Sequence, residues 1–526
     1  MTTFYVDPNA AVNGSGSLAS PYNTWAGVTL TANNTYLQRR GTTYIGASVR
    51  PASQTSNAAT PLTIGAYYNA DGSDDTTKTR PIINHNGGTN GVGAVFVDTC
   101  AYVVVQDIAG TNSHGSLGGG VTVRRSQNVI VQRCAGYEND YGVIVYQDQA
   151  SGTSTCTDIT IRDNDCYDNV AAGIAWWVCS VSDAIIRRMK IHGNTVYGNG
   201  TGKGLGGLLG VSSVPCGGIM SFTANKASIG TAGYINYDIR CDRNTVSDNN
   251  GYGINIEGWA LGTTGSSCSR NTVTGSGYSG DVDSHSLWVG NSSAVLIEEN
   301  HVHHNFANTG ASSGSGVGIF IDYNSSSTSG GYSCIVRRNK IHDQFRGSTT
   351  ASALAAGAGI IVLYNDNTVV ESNLIYNCRN GVSIGNGSAT DGTLIYSNTV
   401  TDCDDGGISV LPLGTGTVLK NNVVRGAVTG LFVNTTSTTG YAETYNSVSN
   451  CTTAKANGTA SARTATTLHA TDLITDPLLT ADYRPKSGSP LLGAGTHLGY
   501  RRDIEGKQRQ NPPDIGAYDR ATLRTA

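Results

Sequence analysis

An all-β solenoid of parallel strands is what this sequence predicts, and three observations carry the expectation. An asparagine-led motif recurs along most of the chain, and a short glycine-led apolar strand follows it in most periods. The third observation is compositional. The 526 residues include 68 Gly and 26 Tyr, but only 14% are charged, against roughly 25% in an ordinary soluble domain. Few charges suffice where successive coils bury their inward faces on one another. Only 12 Pro and no three-residue glycine period exclude collagen and argue against disorder. The net charge of −4 gives no footprint for nucleic acid or an anionic membrane surface. No apolar run approaches the ~18–20 residues of a spanning helix, so membrane insertion is not expected.

The motif is Asn, any residue, Val or Ile, then two more, often ending in a second Asn. It reads NTVYGN from Asn194, NTVSDN from Asn244, NTVTGS from Asn271, NHVHHN from Asn300 and NKIHDQ from Asn339. It continues as NLIYNC from Asn373, NTVTDC from Asn398, NVVRGA from Asn422 and NSVSNC from Asn446. The last three intervals are 25, 24 and 24 residues. A short alternating strand precedes the asparagine, as in VLIEEN ending at Asn300. The glycine-led strands include GVIVY, GIAWW, GINIE, GIFID and GIIVL. Three strands per period are too few for a propeller blade, and no helical periodicity is present. Wound as one coil, they make a parallel β-helix whose coils cannot fold alone. The asparagine suits a turn because it tolerates left-handed φ, and its amide can bond the turns above and below.

The repeats from about Tyr102 to Cys451 resemble the right-handed, pectate-lyase-like parallel β-helix proteins. YVDPN (Tyr5–Asn9), SPYNTW (Ser20–Trp25), LTIGAY and RPII (Arg80–Ile83) resemble the N-terminal cap of polysaccharide-active members. GSPLLGAGTHLG, RRDIEGKQRQ and DIGAYD (Asp514–Asp519) are similar to a closing segment of bacterial and phage β-helix proteins. The expected organisation is therefore a cap with first coils over 1–100, the β-helix with inserted loops over 101–455, and a closing segment over 456–526. Capping both ends protects open sheet edges from aggregation. The resemblance also implies an extracellular or virion-associated protein resembling a phage tailspike depolymerase, and such spikes are homotrimers. Met1-Thr2-Thr3-Phe4-Tyr5 lacks the basic and apolar regions of a signal peptide. The 12 cysteines fit neither a small secreted framework nor a CxxC zinc pattern, and Cys378, Cys403 and Cys451 recur in register. They read as buried, stacked thiols.

Function has to come from the site. In GINIE, Ile254 and Ile256 point inward, leaving Asn255 and Glu257 outward. The same alternation gives an outward column of Tyr146, Trp177, Phe222, Glu257, Trp288, Asp322 and Leu363, with Tyr364 just beyond. Aromatic faces stack on sugar C–H surfaces and carboxylates supply acid and base, so the column suits a glycan groove. The alternative is that the aromatics merely cover the sheet or form a subunit interface. Glu257 and Asp322, two coils apart, are expected ~9–10 Å apart at the backbone. Side-chain tilt brings that within the ~6.5–9.5 Å of an inverting glycosidase, with Trp288 pressing on both carboxyls and raising the pKa of the acid. Asp281, Asp283 and His285, in the turn entering the Trp288 strand, can replace one member of the pair, hold calcium or orient the sugar. No cofactor is otherwise required. The longest Asn-to-Asn intervals flank this region, and insertions into coils become binding loops.

Two motifs are weaker. GKGLGG from Gly202 matches GxGxxG but lacks the strand–helix context of a nucleotide site. His301, His303 and His304, with His342 over His303 by register, read as stacked surface histidines on another face, with a metal site as the alternative.

The leading functional expectation is a glycoside hydrolase that depolymerises bacterial capsule, exopolysaccharide or O-antigen. Glu257, Asp322 and Asp283 are its catalytic candidates. Tyr146, Trp177, Phe222, Asn255, His285, Trp288 and Tyr364 are its substrate-binding candidates. The first alternative is a polysaccharide lyase or uronate epimerase, which needs a base and a charge-neutralising group; the absence of Lys or Arg from the column counts against it. The second is a non-catalytic glycan-binding adhesin.

Overall fold

The computed structural model describes residues 1–88, 92–115, 117–148, 156–178, 186–200, 216–223, 236–260, 265–276, 285–290, 292, 294–305, 316–322, 333–344, 357–385, 390–412, 414–434, 439–459, 462–499 and 501–520. The chain forms two compact units, Met1–Ser266 and Ser267–Ala526. Among the described residues no helix is long and apolar enough to cross a membrane.

Each unit is an all-β parallel β-helix, as the repeat predicts. In the first unit, Gln127–Gln132 pairs in parallel with Ala101–Gln106 and with Cys156–Arg162 on a first sheet. Ala135–Tyr137 does the same between Ala109–Ser113 and Asp165–Tyr167 on a second sheet. Tyr141–Gln147 lies between Gly119–Arg124 and Ala172–Val178 on a third. The second unit repeats the pattern, as in Ile335–Arg337, Lys340–Gln344 and Ala358–Val362, each paired in parallel with the equivalent strand of the next coil. Inward Val and Ile fill the interior, among them Val131, Ile161, Val336 and Ile375, all fully buried. Alternation of apolar and polar residues along each short strand is enough to select this face.

The asparagines form buried hydrogen-bonded ladders. In the second unit Asn300 donates both its backbone N–H and its Nδ2 to Oδ1 of Asn339, at 3.0 and 2.9 Å. Asn339 does the same to Asn373, and the series runs through Asn398 and Asn422 to Asn446. Asp472 closes it by accepting from the Asn446 N–H at 2.8 Å. The first unit carries one ladder through Asn164, Asn194 and Asn244 and another through Asn139, Asn169, Asn199 and Asn249.

The ladder asparagines are not themselves left-handed. The residue before each one is: Glu299, Arg338, Ser372, Ser397, Asn421 and Tyr445 have φ between 55 and 58°. Turning one residue early swings the asparagine inward, where its amide finds the next coil. The expectation of a left-handed asparagine is thus corrected by one position. Cys378 and Cys403 occupy a similar inward place after the left-handed Asn377 and Asp402. Burial pushes the Cys378 thiol up to about 12. Cys378 and Cys403 are the expected packed thiols, protonated at neutral pH, whereas Cys451, expected with them, is only partly buried.

Most third-sheet strands carry a glycine in second position, which shapes them. A Cβ on Gly173 would stand 2.3 Å from Val196 Cγ1, and one on Gly407 2.2 Å from Val424 Cγ1. The glycine tucks against the second sheet, so the first, fourth and sixth residues of the strand stay on the outer face. Tyr141, Ile144 and Tyr146, which hold those places in Tyr141–Gln147, accordingly pack in one cluster. Gly407→Ala should cost about 1–3 kcal/mol by overpacking, read as a lower urea midpoint at unchanged m-value.

The C-terminal segment does more than end the sheets. Thr453–Thr459 turns into an antiparallel hairpin with Ala462–Ala465. The chain then runs back over earlier coils, where Leu491 and Ile515 pack on Val423. Buried Arg509 donates to Ser372 Oγ and to the carbonyls of Gly516 and Ala517.

Candidate functional site

Outward residues of the third sheet stack in register within each unit. In the first, the sixth-position column runs Arg124, Tyr146, Trp177 and Phe222, with Asp98 opposite Arg124. The fourth-position column runs Phe96, Thr122, Ile144, Ala175, Met220 and Asn255. Glu257, two residues after Asn255, ends its strand in the sixth position. The sequence alternation therefore assigned Tyr146, Trp177, Asn255 and Glu257 to their outward places, while the side chain of Phe222 lies outside the described residues.

The surroundings differ from an open aromatic track. Tyr146 is only 3% exposed and packs with Phe96, Ile144 and Met220, while Trp177 is half-buried against the same cluster. Burial pushes the Tyr146 hydroxyl up to about 12. Its neighbour Arg124 lies over both the Phe96 and the Tyr146 rings, at 4.9 and 6.0 Å from their centroids. Arg124 also pairs with Asp98 at 2.6 Å, and Arg50 pairs with the same carboxylate at 2.5 Å. Burial alone would raise Asp98, but the hydrogen bonds from Arg124 and Arg50 outweigh it and hold the carboxyl at about 2. The column thus contains a cation after all, one coil before the stretch from which its absence was inferred.

At the far end of this unit, Asn255 and Glu257 are both buried. Among the described residues the Asn255 side chain has no hydrogen-bond partner at either its nitrogen or its oxygen. The Glu257 backbone N–H is bonded to Ser221 Oγ, which fixes the end of the strand. Two residues apart, Asn255 and Glu257 lie ~7 Å from each other along one outer face.

In the second unit the register moves one expected residue. Trp288 stands opposite Phe320, in the fourth position, and Asp322 stands opposite Gly290, in the sixth. Trp288 therefore does not share the carboxylate's column, as the sequence alternation had it. The cause is local: Ser286 occupies the place where other third-sheet strands carry glycine, so the strand lacks the marker from which positions are counted. The indole still reaches that column sideways. Its Cη2 lies 2.1 Å from where a Cβ of Gly290 would be, so the ring covers the bare position opposite Asp322. His285 meets Phe320 edge-on at 4.6 Å, and burial lowers the imidazole to about 3, keeping it neutral. Trp288, Phe320 and His285 are buried, Asp322 is half-buried, and Tyr364 is 42% exposed.

Glu257 and Asp322 belong to different units, and each is characterised by its own surroundings. Asp281 and Asp283, the Phe222 side chain, GKGLGG, and most of the long insertions expected as binding loops lie outside the described residues.

Other chemistry-bearing groups lie away from the third sheet. A cleft of about 260 Å³ on the first sheet is lined by Asp158, Thr160, Arg188, Lys190, Asp238 and Arg240. Its Arg188 pairs with Asp158 at 2.6 Å, the mark of an ion-pair seam. On the second sheet, Tyr137, Tyr167 and Tyr197 stack with centroids 5.1 Å apart and planes 7° from parallel. That ladder was missed from sequence, although its signal is simple: Tyr167 and Tyr197 each stand three residues after a ladder asparagine.

Residues 281–453 match the family model described as the right handed beta helix region. No curated protein matches the chain. Among solved structures it is similar to the GH136 lacto-N-biosidase from Eubacterium ramulus, at 12% identity over 85% of this chain and 67% of that one, with a TM-score of 0.40. It is similar to the alginate lyase from Paenibacillus sp. str. FPU-7, at 13% identity over 78% and 96%, with a TM-score of 0.35. The Dettilon tailspike protein gives 13% identity over 84% and 68%, with a TM-score of 0.41.

Proposed function

We propose that this chain is an extracellular or virion-borne polysaccharide depolymerase that acts by hydrolysis on a bacterial capsule, exopolysaccharide or O-antigen. The observation that carries the reading is the Asn255 side chain, buried with no hydrogen-bond partner among the described residues and set on the same outer face as Glu257. A buried amide without partners costs about 1–3 kcal/mol, and a bound sugar hydroxyl would recover it. Glu257 is the proposed carboxylate beside it, with Trp177 as a stacking surface in the same unit. Asp322 is proposed on separate grounds, as a half-buried carboxylate opposite a glycine that the Trp288 indole covers. A carboxylate beside an aromatic face is a workable general acid or base for glycosidic cleavage. No metal is required for that chemistry.

A lyase is the second reading, and one observation favours it: Arg124, beside Tyr146, supplies a cation next to a phenol. The same structure works against Tyr146 as base, because its hydroxyl stays protonated at neutral pH. The test is incubation with a panel of acidic and neutral bacterial polysaccharides. Hydrolysis releases reducing ends without ultraviolet absorbance. An absorbing, unsaturated product replaces the hydrolase with the lyase. Binding of one glycan without cleavage of any leaves an adhesin.

A further inference from the structure

His301–His303 and Lys340–Gln344 are successive strands of the second sheet, paired so that His303 stands opposite His342. His304 and Asp343 follow in the same turn position one coil apart, both left-handed, with φ of 52 and 54°. Equivalent turns with the same backbone conformation aim both side chains at one spot. His304 Nε2 lies 3.6 Å from Asp343 Oδ2, and His342 Nδ1 lies 2.6 Å from that same oxygen.

We propose that His304 Nε2, His342 Nδ1 and one Asp343 oxygen bind a single divalent transition-metal ion, zinc by the nature of the donors. Two ligand atoms held at ~2.0–2.2 Å from one tetrahedral zinc stand roughly 3.3–3.5 Å apart. The three donors lie within 4.8 Å of one another, so small side-chain rotations close the set. Two imidazoles and a carboxylate leave a fourth position for water, and His304, which is exposed, provides the entry side.

The outer contacts point the same way. Metal-binding imidazoles use their second nitrogen to hold an acceptor, and bound carboxylates are themselves hydrogen-bonded. His342 Nε2 lies 2.8 Å from His301 Nε2, and His304 Nδ1 lies 2.8 Å from His303 Nδ1. Asn377 Nδ2 donates to Asp343 Oδ1 at 3.2 Å, leaving Oδ2 for the ion. The His342 ring is fixed by stacking on Tyr376 at 4.5 Å, and Tyr376 in turn packs on Tyr483 at 4.7 Å. Lys340, the nearby cation, lies over the Tyr376 ring, 5.7 Å from its centroid. The cluster is on a different sheet from the proposed carbohydrate face, and the inference does not depend on that reading.

The experiment uses full-length, tag-free protein stripped with chelator, loaded with zinc and passed through a desalting column. The parent should retain one equivalent of zinc by elemental analysis, and zinc should raise its melting temperature. His304→Ala and Asp343→Asn, both at solvent-accessible turn positions, should lose the retained zinc and the thermal shift while keeping the parent circular dichroism. Cobalt in place of zinc should give a visible ligand-field band in the parent alone. No retained metal in the parent, or one equivalent still retained by either folded variant, would overturn the assignment and leave the histidines as a hydrogen-bonded stack.

Discussion

Glu257→Gln should lower turnover of the cleaved polysaccharide by about 10²–10⁴-fold, the usual contribution of a positioned acid or base. The substitution keeps the size and outward position of the side chain, so the coil should stay folded. Binding of the intact glycan should change far less than turnover, because the Asn255 amide and the Trp177 face remain. Asp322→Asn should show a loss in the same range, with the Trp288 ring left in place over Gly290. The check is initial rate under saturating polysaccharide, beside glycan affinity measured on each inactive variant. Parent-like rates in both variants would remove the carboxylates from the mechanism. A loss in only one would assign the catalysis to that unit's face.

The largest effect on stability is expected from Asn339→Ala. Asn339 Oδ1 accepts from both the backbone and the side chain of Asn300, and its Nδ2 donates to Asn373 Oδ1 and to the Ile297 carbonyl. Alanine removes all of these where nothing is solvent-exposed, since Asn300, Asn339 and Asn373 are at most 1% accessible. An unpaired buried polar group costs about 1–3 kcal/mol, and several are stranded at once. A loss of about 3 kcal/mol or more is therefore expected in urea unfolding, with local opening around these coils in hydrogen exchange. Neighbour-to-neighbour coupling in a solenoid should confine the exchange change to adjacent coils. A uniform rise in exchange along the chain would show that coils unfold as one block.

The fold was legible because its rule is local. Apolar alternation sets which residues of a short strand turn inward, and a buried asparagine must find the next coil. Spacing of the asparagines consequently reports the length of each coil. The outward columns of the first unit were legible for the same reason, with Gly142, Gly173, Gly218 and Gly253 marking each strand start. Where Ser286 replaces that glycine the count slipped, and Trp288 was assigned to the column of Asp322. Accessibility was not legible at all. Whether Tyr146 is open depends on how large its neighbours on adjacent coils are, among them Phe96 and Met220, and alternation cannot distinguish a covered outward residue from an exposed one. The Arg124–Asp98–Arg50 network was hidden because its members are 26 and 48 residues apart.

By itself, then, the sequence determined the coil: three short parallel strands, an inward asparagine at the turn and a glycine where the third strand meets the second. Each follows from the sterics and hydrogen bonding of a few adjacent residues. Only the tertiary structure decided which outward groups are covered, which amide beside Glu257 is left without a partner among the described residues, and how His304, His342 and Asp343 converge. Those are properties of stacked coils, set by packing between residues that the chain itself holds far apart.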